Sequence, residues 1–528
     1  MSNRPVAWMG RMSDGSDRPD PGPTVIDRNV IGAGHVDSPA LPPLVDDPAI
    51  YLESDVGPVT VTLTASDAQA LADIETNATD GNTPVVFTAA DYGGGRTAGN
   101  GTIELRGSTS RGALQKSFQI ELASDATPWR GGRIINLLKH PFDLTRVRNT
   151  LSFESFRSIS DLVSLRTGFV HLIINSIDRG LYEWVEEPDE TFLASRGLDA
   201  RGSLYEAKTF AFTPIDDATA SDPAKVDDIV AARGSNDLAK LRRMLAAVND
   251  ARQPIDGVIG HYFNRANYVT WLAVNVLTAD YDSGSQNLML YSPAEHEGWY
   301  FLPWDYDGAW GWNEQSLSPP RPRWREGLSN WWWVALHQRF LAEPANLAEL
   351  DARIRALAAT TFADDAVAAK LARYHDVVAS FISVEPDINN LPCETAGTQA
   401  AIAAWEAEYT RIATNAGRAL AEYATCLSRP MPFWLYSPAF HPSGVALSWS
   451  RSYQLQGQPL RYDIEINASE TFDPAATVAT KTGLAEPLFT AAGLAPGHYF
   501  WRAVARSVTN PAHDWQMAFN DHLSLDVT

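Results

Sequence analysis

At 528 residues the chain is too long for one core, and 45% apolar with 10% aromatic residues can fill two to four domains, which excludes a disordered polymer. Its 42 basic residues face 64 acidic ones, a formal charge of −22 whose field repels the phosphate backbone of nucleic acid. No apolar run reaches the roughly 18 residues of a membrane helix, and Met1-Ser-Asn-Arg-Pro5 lacks the charged-then-apolar order of a signal peptide, so the chain as given reads as soluble, with no transmembrane segment.

Residues 1–48, rich in Pro, Gly and Asp, read as an extended arm. Val-Thr alternation from Val59 predicts a strand, and the stretch from Ser66 a capped helix. Strand signals resume at Pro84, cross the turn Tyr92-Gly-Gly-Gly95 and return at Thr102 and Ser117, which predicts an antiparallel sheet with flexible tips. Residues 143–160 read as helix, and the runs from Phe169 and Gly180 as two strands around a turn at Ile177. Beyond Thr219 the pattern is helical: residues 223–250, 261–279, and three long Ala-rich helices between Asn330 and Cys426, interrupted only by a hairpin over Leu288–Leu302. The last hundred residues are short alternating strands, the pattern of a β-sandwich, and Trp449 with Leu494 and Tyr499 resembles a fibronectin type III module. Such modules serve as spacers or binding surfaces, so no chemistry is assigned to this one, only a possible surface partner. Cys393 and Cys426 either close a disulfide or remain buried thiols.

Asp282-Ser-Gly-Ser-Gln-Asn287, the hairpin, and then Pro303-Trp-Asp-Tyr-Asp-Gly308 form the chemically richest stretch. Phosphoryl transfer needs a carboxylate beside the attacking hydroxyl and an Asn with an Asp to hold Mg²⁺ against the phosphates. Asp282 fits the base and Asn287 a metal ligand; the hairpin returns Asp305 beside Asn287 as a second ligand, and Asp307 is available to another ion. Taken singly these residues are ordinary polar turns, and Asp280 competes with Asp282 for the base; the spacing to Asn287 favours Asp282. The eleven histidines form no zinc motif, and neither a Walker loop nor a Gly-x-Ser-x-Gly elbow occurs.

Three blocks in order, Arg106-Gly-Ser-Thr-Ser-Arg-Gly-Ala-Leu-Gln-Lys116, Gly180-Leu-Tyr-Glu-Trp-Val-Glu186 and Asp282…Asn287…Asp305…Asp307, resemble the spore-coat kinase (CotH) family from about residue 50 to about 345. The resemblance implies an α+β, two-lobed protein-kinase-like fold over 49–428, with a β-rich lobe over about 49–190 and a mostly α lobe over about 191–428, while the strand pattern sets the sandwich over 430–528. It implies ATP and Mg²⁺, or Mn²⁺, as cofactors and a protein Ser or Thr as acceptor. By the same resemblance Lys116 holds phosphates, with Gln115 standing where the family often has a second lysine. Glu154 is the candidate carboxylate for that lysine, Arg106, Ser108 and Arg111 flank a turn over the phosphates, and Glu186 borders the adenine pocket or makes a hinge salt bridge. The run Arg321–Arg325 either docks an acidic substrate or is a Pro-stiffened linker, and Trp331–Trp333 reads as core. A catalytically reduced binding module and AMP transfer on the same fold are the alternatives. The resemblance favours a secreted or cell-surface location, and the absence of a leader a cytoplasmic one.

Overall fold

The computed structural model describes residues 41–44, 46–51, 57–77, 80–90, 95–315, 318, 321–393 and 397–528. Most of the predicted arm and of the turn at Tyr92, and most of Ser316–Pro320, lie outside them.

The β-rich part comprises β1 (Val59–Ala65), α1 (Ala68–Glu75), β2 (Thr83–Ala90), β3 (Arg96–Arg106), β4 (Ser117–Leu122), β5 (Ile134–Leu138), α2 (Arg148–Phe156), β6 (Thr167–Ile174) and β7 (Ile177–Val185). The expected antiparallel sheet is a closed barrel in the order β1-β2-β3-β4-β5-β7-β6. A parallel β1–β6 ladder, Val59↔Val170 to Leu63↔Ile174, closes it, which leaves no sheet edge unpaired. The alternation in β1 sends Val59, Val61, Leu63 and Ala65 into a core with Phe87, Ile103, Ile120, Trp129 and Trp184. The cap of α1 is Asp67, whose carboxylate accepts from Ala70 N at 2.9 Å.

The helical body follows: α3 (Glu190–Ser195), β8 (Ser203–Ala207), α4 (Asp217–Ala220), α5 (Pro223–Asp227), β9 (Val230–Ala232), α6 (Leu238–Asn249), α7 (Ile255–Tyr262), α8 (Arg265–Thr278), β10 (Leu288–Ser292), β11 (Tyr300–Pro303), α9 (Ala335–Leu341), α10 (Pro344–Ala358), α11 (Asp364–Ile382), α12 (Thr398–Ala413) and α13 (Asn415–Cys426). Residues 223–250 are not one helix. Val230 and Ala231 are buried where β9 pairs with β8, at the end of a four-stranded sheet ordered β11-β10-β8-β9. The centre is α8, capped by Asn264 accepting from Asn267 N at 3.0 Å and buried at every residue from Asn267 to Thr278. Trp331, Trp332 and Trp333 are core, as expected, although Trp331 closes a 3-10 turn and the next helix starts only at Ala335. The end of the arm is not free: Leu41 and Leu44 are buried, and the Pro42 carbonyl accepts from Asn264 Nδ2 at 2.9 Å and Tyr300 Oη at 2.7 Å.

The C-terminal sandwich packs a three-stranded sheet, β12 (Ala439–His441), β13 (Gly444–Ser448) and β16 (Leu488–Ala491), on a five-stranded one, β14 (Leu460–Asn467), β15 (Thr477–Leu484), β17 (Gly497–Ser507), β18 (Trp515–Met517) and β19 (Leu523–Val527). Trp449, Tyr462 and Trp501 fill it, and Tyr499 Oη donates to the Ala495 carbonyl at 2.9 Å, the bond of a tyrosine corner. Cys393 and Cys426 form no disulfide. Among the described residues no helix is long and apolar enough to cross a membrane.

Candidate active site

Helix α8 ends at Ala279 in the left-handed region (φ 51°), and the chain turns into the loop 280–287. Asp280 is fully buried and its Oδ1 accepts from Asp282 N at 3.2 Å, while its Oδ2 has no hydrogen-bond partner. Asp282 is half-buried: Gln286 Nε2 donates to its Oδ1 at 2.7 Å and Asn287 Nδ2 to its Oδ2 at 2.9 Å. The ladder pair Leu288↔Pro303 then sets Asn287 and Trp304 side by side. Asn287 (φ 58°) and Asp305 (φ 55°) both take left-handed backbone, which Asn and Asp tolerate better than other side chains. Gly308 brings the second loop against the first: a Cβ there would sit 3.4 Å from the Cβ of Asp282 and 3.7 Å from Oδ1 of Asp280.

The second loop is held from the barrel side by α2. Tyr306 N donates to Asn149 Oδ1 at 2.8 Å, its ring packs edge-on to Phe153 and Phe156 at 5.9 and 4.8 Å, and Trp310 Nε1 donates to Ser152 Oγ at 2.8 Å. Asn149 Nδ2 and Thr150 Oγ1 also donate to Glu183 of β7, at 2.9 and 2.6 Å. His140 completes the chain, bonding Glu183 Oε2 through Nε2 at 2.5 Å and Asp307 Oδ2 through Nδ1 at 3.1 Å. Burial opposes charge on this imidazole, but the bonds to Asp307 and Glu183 prevail and push it up to about 10. An imidazolium donating from both nitrogens thus orients Asp307.

Negative charge is crowded here. Burial, and then the charge of Asp307, raises Asp305 to about 7 against the pull of Arg106 and His140. Burial also raises Asp282, opposed by Arg325, and raises Asp280 well above the usual carboxylate range with the charge of Asp282 adding to it. Such a cluster of hard oxygens, with Asn287 free to offer its amide oxygen once its nitrogen is committed to Asp282, fits a hard divalent cation that keeps waters and phosphate oxygens in its shell. Among the described residues no group of three or more Asp, Glu, His or Cys side chains is placed to hold a metal ion by itself, so waters and phosphate oxygens would have to supply most of the shell.

The barrel-side residues divide. Arg106, the last residue of β3, lies with its guanidinium 5.2 Å from the Trp304 ring and in the field of Glu187 and Asp305, at the second loop itself. Ser108 is exposed and caps nothing. Arg111 points away, to Asp80, Asn77 Oδ1 and the Leu105 carbonyl. Lys116 precedes β4 rather than lying within it, and its Nζ donates to the Arg111 carbonyl at 2.5 Å. Glu154 does not hold Lys116: it faces α11, in an ion pair with Arg373 and in the field of Lys370. Glu186 is clamped by Arg166 and Arg196, at 2.7 and 2.6 Å.

Gln115, the departure from the family pattern, accepts from Arg146 Nη2 at 3.0 Å and donates to Asp387 Oδ1 at 3.1 Å. A lysine there would set a second cation against Arg146. Asp387 is shared by the buried Lys139, whose Nζ is 2.6 Å from its Oδ1 and also donates to the Arg179 and Leu181 carbonyls. Sequence reasoning missed His140, Glu183, Asn149 and Lys139. The one signal available was the polar pair Lys139-His140 directly after the apolar strand β5.

The family model described as CotH kinase protein matches residues 103–417, more than half of the chain and the whole of this site. The chain belongs to the CotH kinase protein family. Inner spore coat protein H of Bacillus subtilis (strain 168) is 28% identical over 214 residues, which are 40% of this chain and 58% of that protein, so this chain spans less than two thirds of the relative it matches. Membership of a kinase family brings with it nucleotide and metal use in general.

Proposed function

We propose that this chain is a protein kinase that transfers the γ-phosphoryl group of ATP to a Ser or Thr hydroxyl of a protein. In this reading the barrel and the helical body, about 49–190 and 191–428, are the two lobes of a protein-kinase-like fold, and 430–528 is a fibronectin type III-like module. The observation that carries it is the hairpin closure: Leu288↔Pro303 brings the Asp282–Asn287 loop and the Asp305–Asp307 loop together in the part of the chain that the kinase family covers.

The acceptor oxygen attacks the γ-phosphorus, its proton passes to a carboxylate oxygen of Asp282, and the bond to the β–γ bridging oxygen breaks with its electron pair leaving on ADP. Burial raises the proton affinity of Asp282, which suits it to that task, and Gln286 and Asn287 fix its orientation. Asn287, Asp305 and Asp307 are the residues to hold Mg²⁺ or Mn²⁺, which when bound neutralises phosphate charge. Arg106, beside Asp305, and Lys116 hold phosphates.

Labelled ATP tests this. The wild-type chain with Mg²⁺ transfers label from γ-labelled ATP and none from α-labelled ATP, and Asp282→Ala transfers neither while keeping its circular dichroism and melting temperature. Transfer from α-labelled ATP alone means AMP transfer, and no transfer with Mg²⁺ or Mn²⁺ means a binding module.

A further inference from the structure

The segment after the metal loop carries three arginines, and the structure uses them differently. Arg321 pairs with Glu422 of α13 at 2.6 Å and stacks 3.9 Å over Tyr281, next to the proposed base. Arg323 reaches the sandwich: Nε and Nη2 donate to the carbonyls of Trp515 and His513 at 2.9 and 2.8 Å, and its guanidinium lies 4.2 Å from the Trp515 ring. Both are structural. Arg325 is different, because among the described residues it has no ion pair, and its Nε is buried without a hydrogen-bond partner.

What surrounds Arg325 locates it. Residues 321–330 lie along the loop of Asp282: Asn330 Nδ2 donates to the Tyr281 carbonyl at 3.1 Å, and a Cβ on Gly284 would sit 3.6 Å from the Asn330 carbonyl oxygen. Glu422 ties the two, accepting from Tyr281 Oη at 2.7 Å and Gly327 N at 2.5 Å. Asp282 is the carboxylate whose charge bears most on Arg325, and Arg325 is the cation that bears most on Asp282. From behind, the sandwich fixes the segment: Trp324 packs edge-on to Phe519 at 5.7 Å, and Gln516 Nε2 of β18 donates to Ser329 Oγ at 3.2 Å in a buried contact. A half-buried guanidinium that is tied by no ion pair or hydrogen bond to the described residues, and whose charge bears on the base, leaves its Nη groups for an oxyanion.

We propose that Arg325 contacts the phosphoryl group as it moves from ATP to the acceptor over Asp282, and that the C-terminal sandwich, through Arg323, Trp324 and Gln516, is a positioning element for it rather than a spacer. This rests on the kinase reading. The guanidinium forms and breaks no covalent bond; it donates to non-bridging oxygens of the group in transfer, whose charge spreads as the bridging bond breaks. An acidic residue of the acceptor protein would offer the same oxyanion chemistry from another source, and a test that omits the acceptor separates the two.

The test uses full-length Arg325→Met and Arg325→Lys, with calorimetric binding of ATP and ADP, turnover of ATP to water without protein acceptor, and transfer to acidic and to neutral acceptor proteins. Contact with the γ-phosphoryl predicts that Arg325→Met loses roughly tenfold in ATP affinity and keeps its ADP affinity. Turnover should fall by roughly 10²-fold, with partial recovery in Arg325→Lys. Gln516→Ala, which touches no substrate, should lower kcat with little change in the KM for ATP. An unchanged ATP-to-ADP affinity ratio and unchanged turnover in Arg325→Met overturn the proposal, and a loss seen only with acidic acceptor proteins overturns it in favour of substrate docking. If Arg325→Met does not fold, Arg325→Lys at wild-type ratio and turnover overturns it equally. A wild-type chain that binds no nucleotide sinks the kinase reading itself, whereas wild-type transfer with an indifferent Arg325 sinks this proposal alone.

Discussion

The two sides of the candidate site are built in contrasting ways. On the helical side, Asp282, Asn287, Asp305 and Asp307 sit on two loops joined by one hairpin and set on the fully buried α8, with hydrogen bonds that fix every one of these side chains except that of Asp305. On the barrel side, the cations are scattered: Arg106 reaches the loop of Asp305, Arg111 is spent on Asp80, and Lys116 bonds within its own turn. The first side is preorganised before any ligand arrives, and the second is not. Charge preorganised around the reacting atoms is what stabilises a transition state, and charge that is not aimed at them mainly adds affinity.

Substitutions on the preorganised side should therefore cost most. Asp282→Asn or Asp305→Asn should lower γ-phosphoryl transfer by roughly 10³-fold or more, measured with labelled ATP, without loss of the fold. Next in size is a stability effect beneath the hairpin. His337 is fully buried against Tyr268 and Trp271, and burial pushes its pKa down to about 3. The unfolded chain takes up that proton near 6.5, so stability should rise with pH between about 3 and 6.5 and be fully present above it, a difference of a few kcal/mol. Urea unfolding at pH 4 and pH 7 checks the sign, and His337→Phe should flatten the difference.

Arg106→Met should raise the KM for ATP by roughly 10- to 100-fold, the worth of one buried charge-assisted contact, while Lys116→Met should change it less than about tenfold. Equal effects would erase the contrast between the two cations. Glu183→Gln disturbs an acceptor shared by His140, Asn149 and Thr150 and should cost about 1–3 kcal/mol in chemical unfolding, with a fall in kcat as Asp307 loses its orientation. The smallest effect belongs to Glu154→Gln. Its partner Arg373 is half exposed, so the loss should stay below about 1 kcal/mol and activity within about twofold. A 10²-fold loss of activity there would restore Glu154 to the nucleotide site.

The same contrast explains what was legible in the sequence. Asp282, Asn287, Asp305 and Asp307 are close in sequence and joined by a hairpin, so spacing alone predicts their meeting. Glu154, Lys116 and Glu186 lie on or beside three elements whose orientation depends on packing that no local pattern records: Glu154 faces α11, whereas Asn149 and Thr150 on the same helix face β7. The barrel closure was hidden for a similar reason, since a parallel β1–β6 pairing joins strands more than a hundred residues apart. Residues 223–250 misled because a three-residue strand leaves too little alternation to read. The sandwich was legible as strands with a tyrosine corner, but its grip on Arg323 and Trp324 was not, because the Arg323–Trp515 bond joins residues 192 apart in the sequence.

The account stands most directly on whether the hairpin brings Asn287 and Asp305 to one metal–nucleotide complex. Calorimetric titration of ATP into the full-length chain, with and without Mg²⁺, measures that apart from turnover. Binding that strengthens at least tenfold with Mg²⁺ in the wild type and loses that dependence in Asp305→Asn is the predicted result. An equal Mg²⁺ dependence in the wild type and in Asp305→Asn would contradict it.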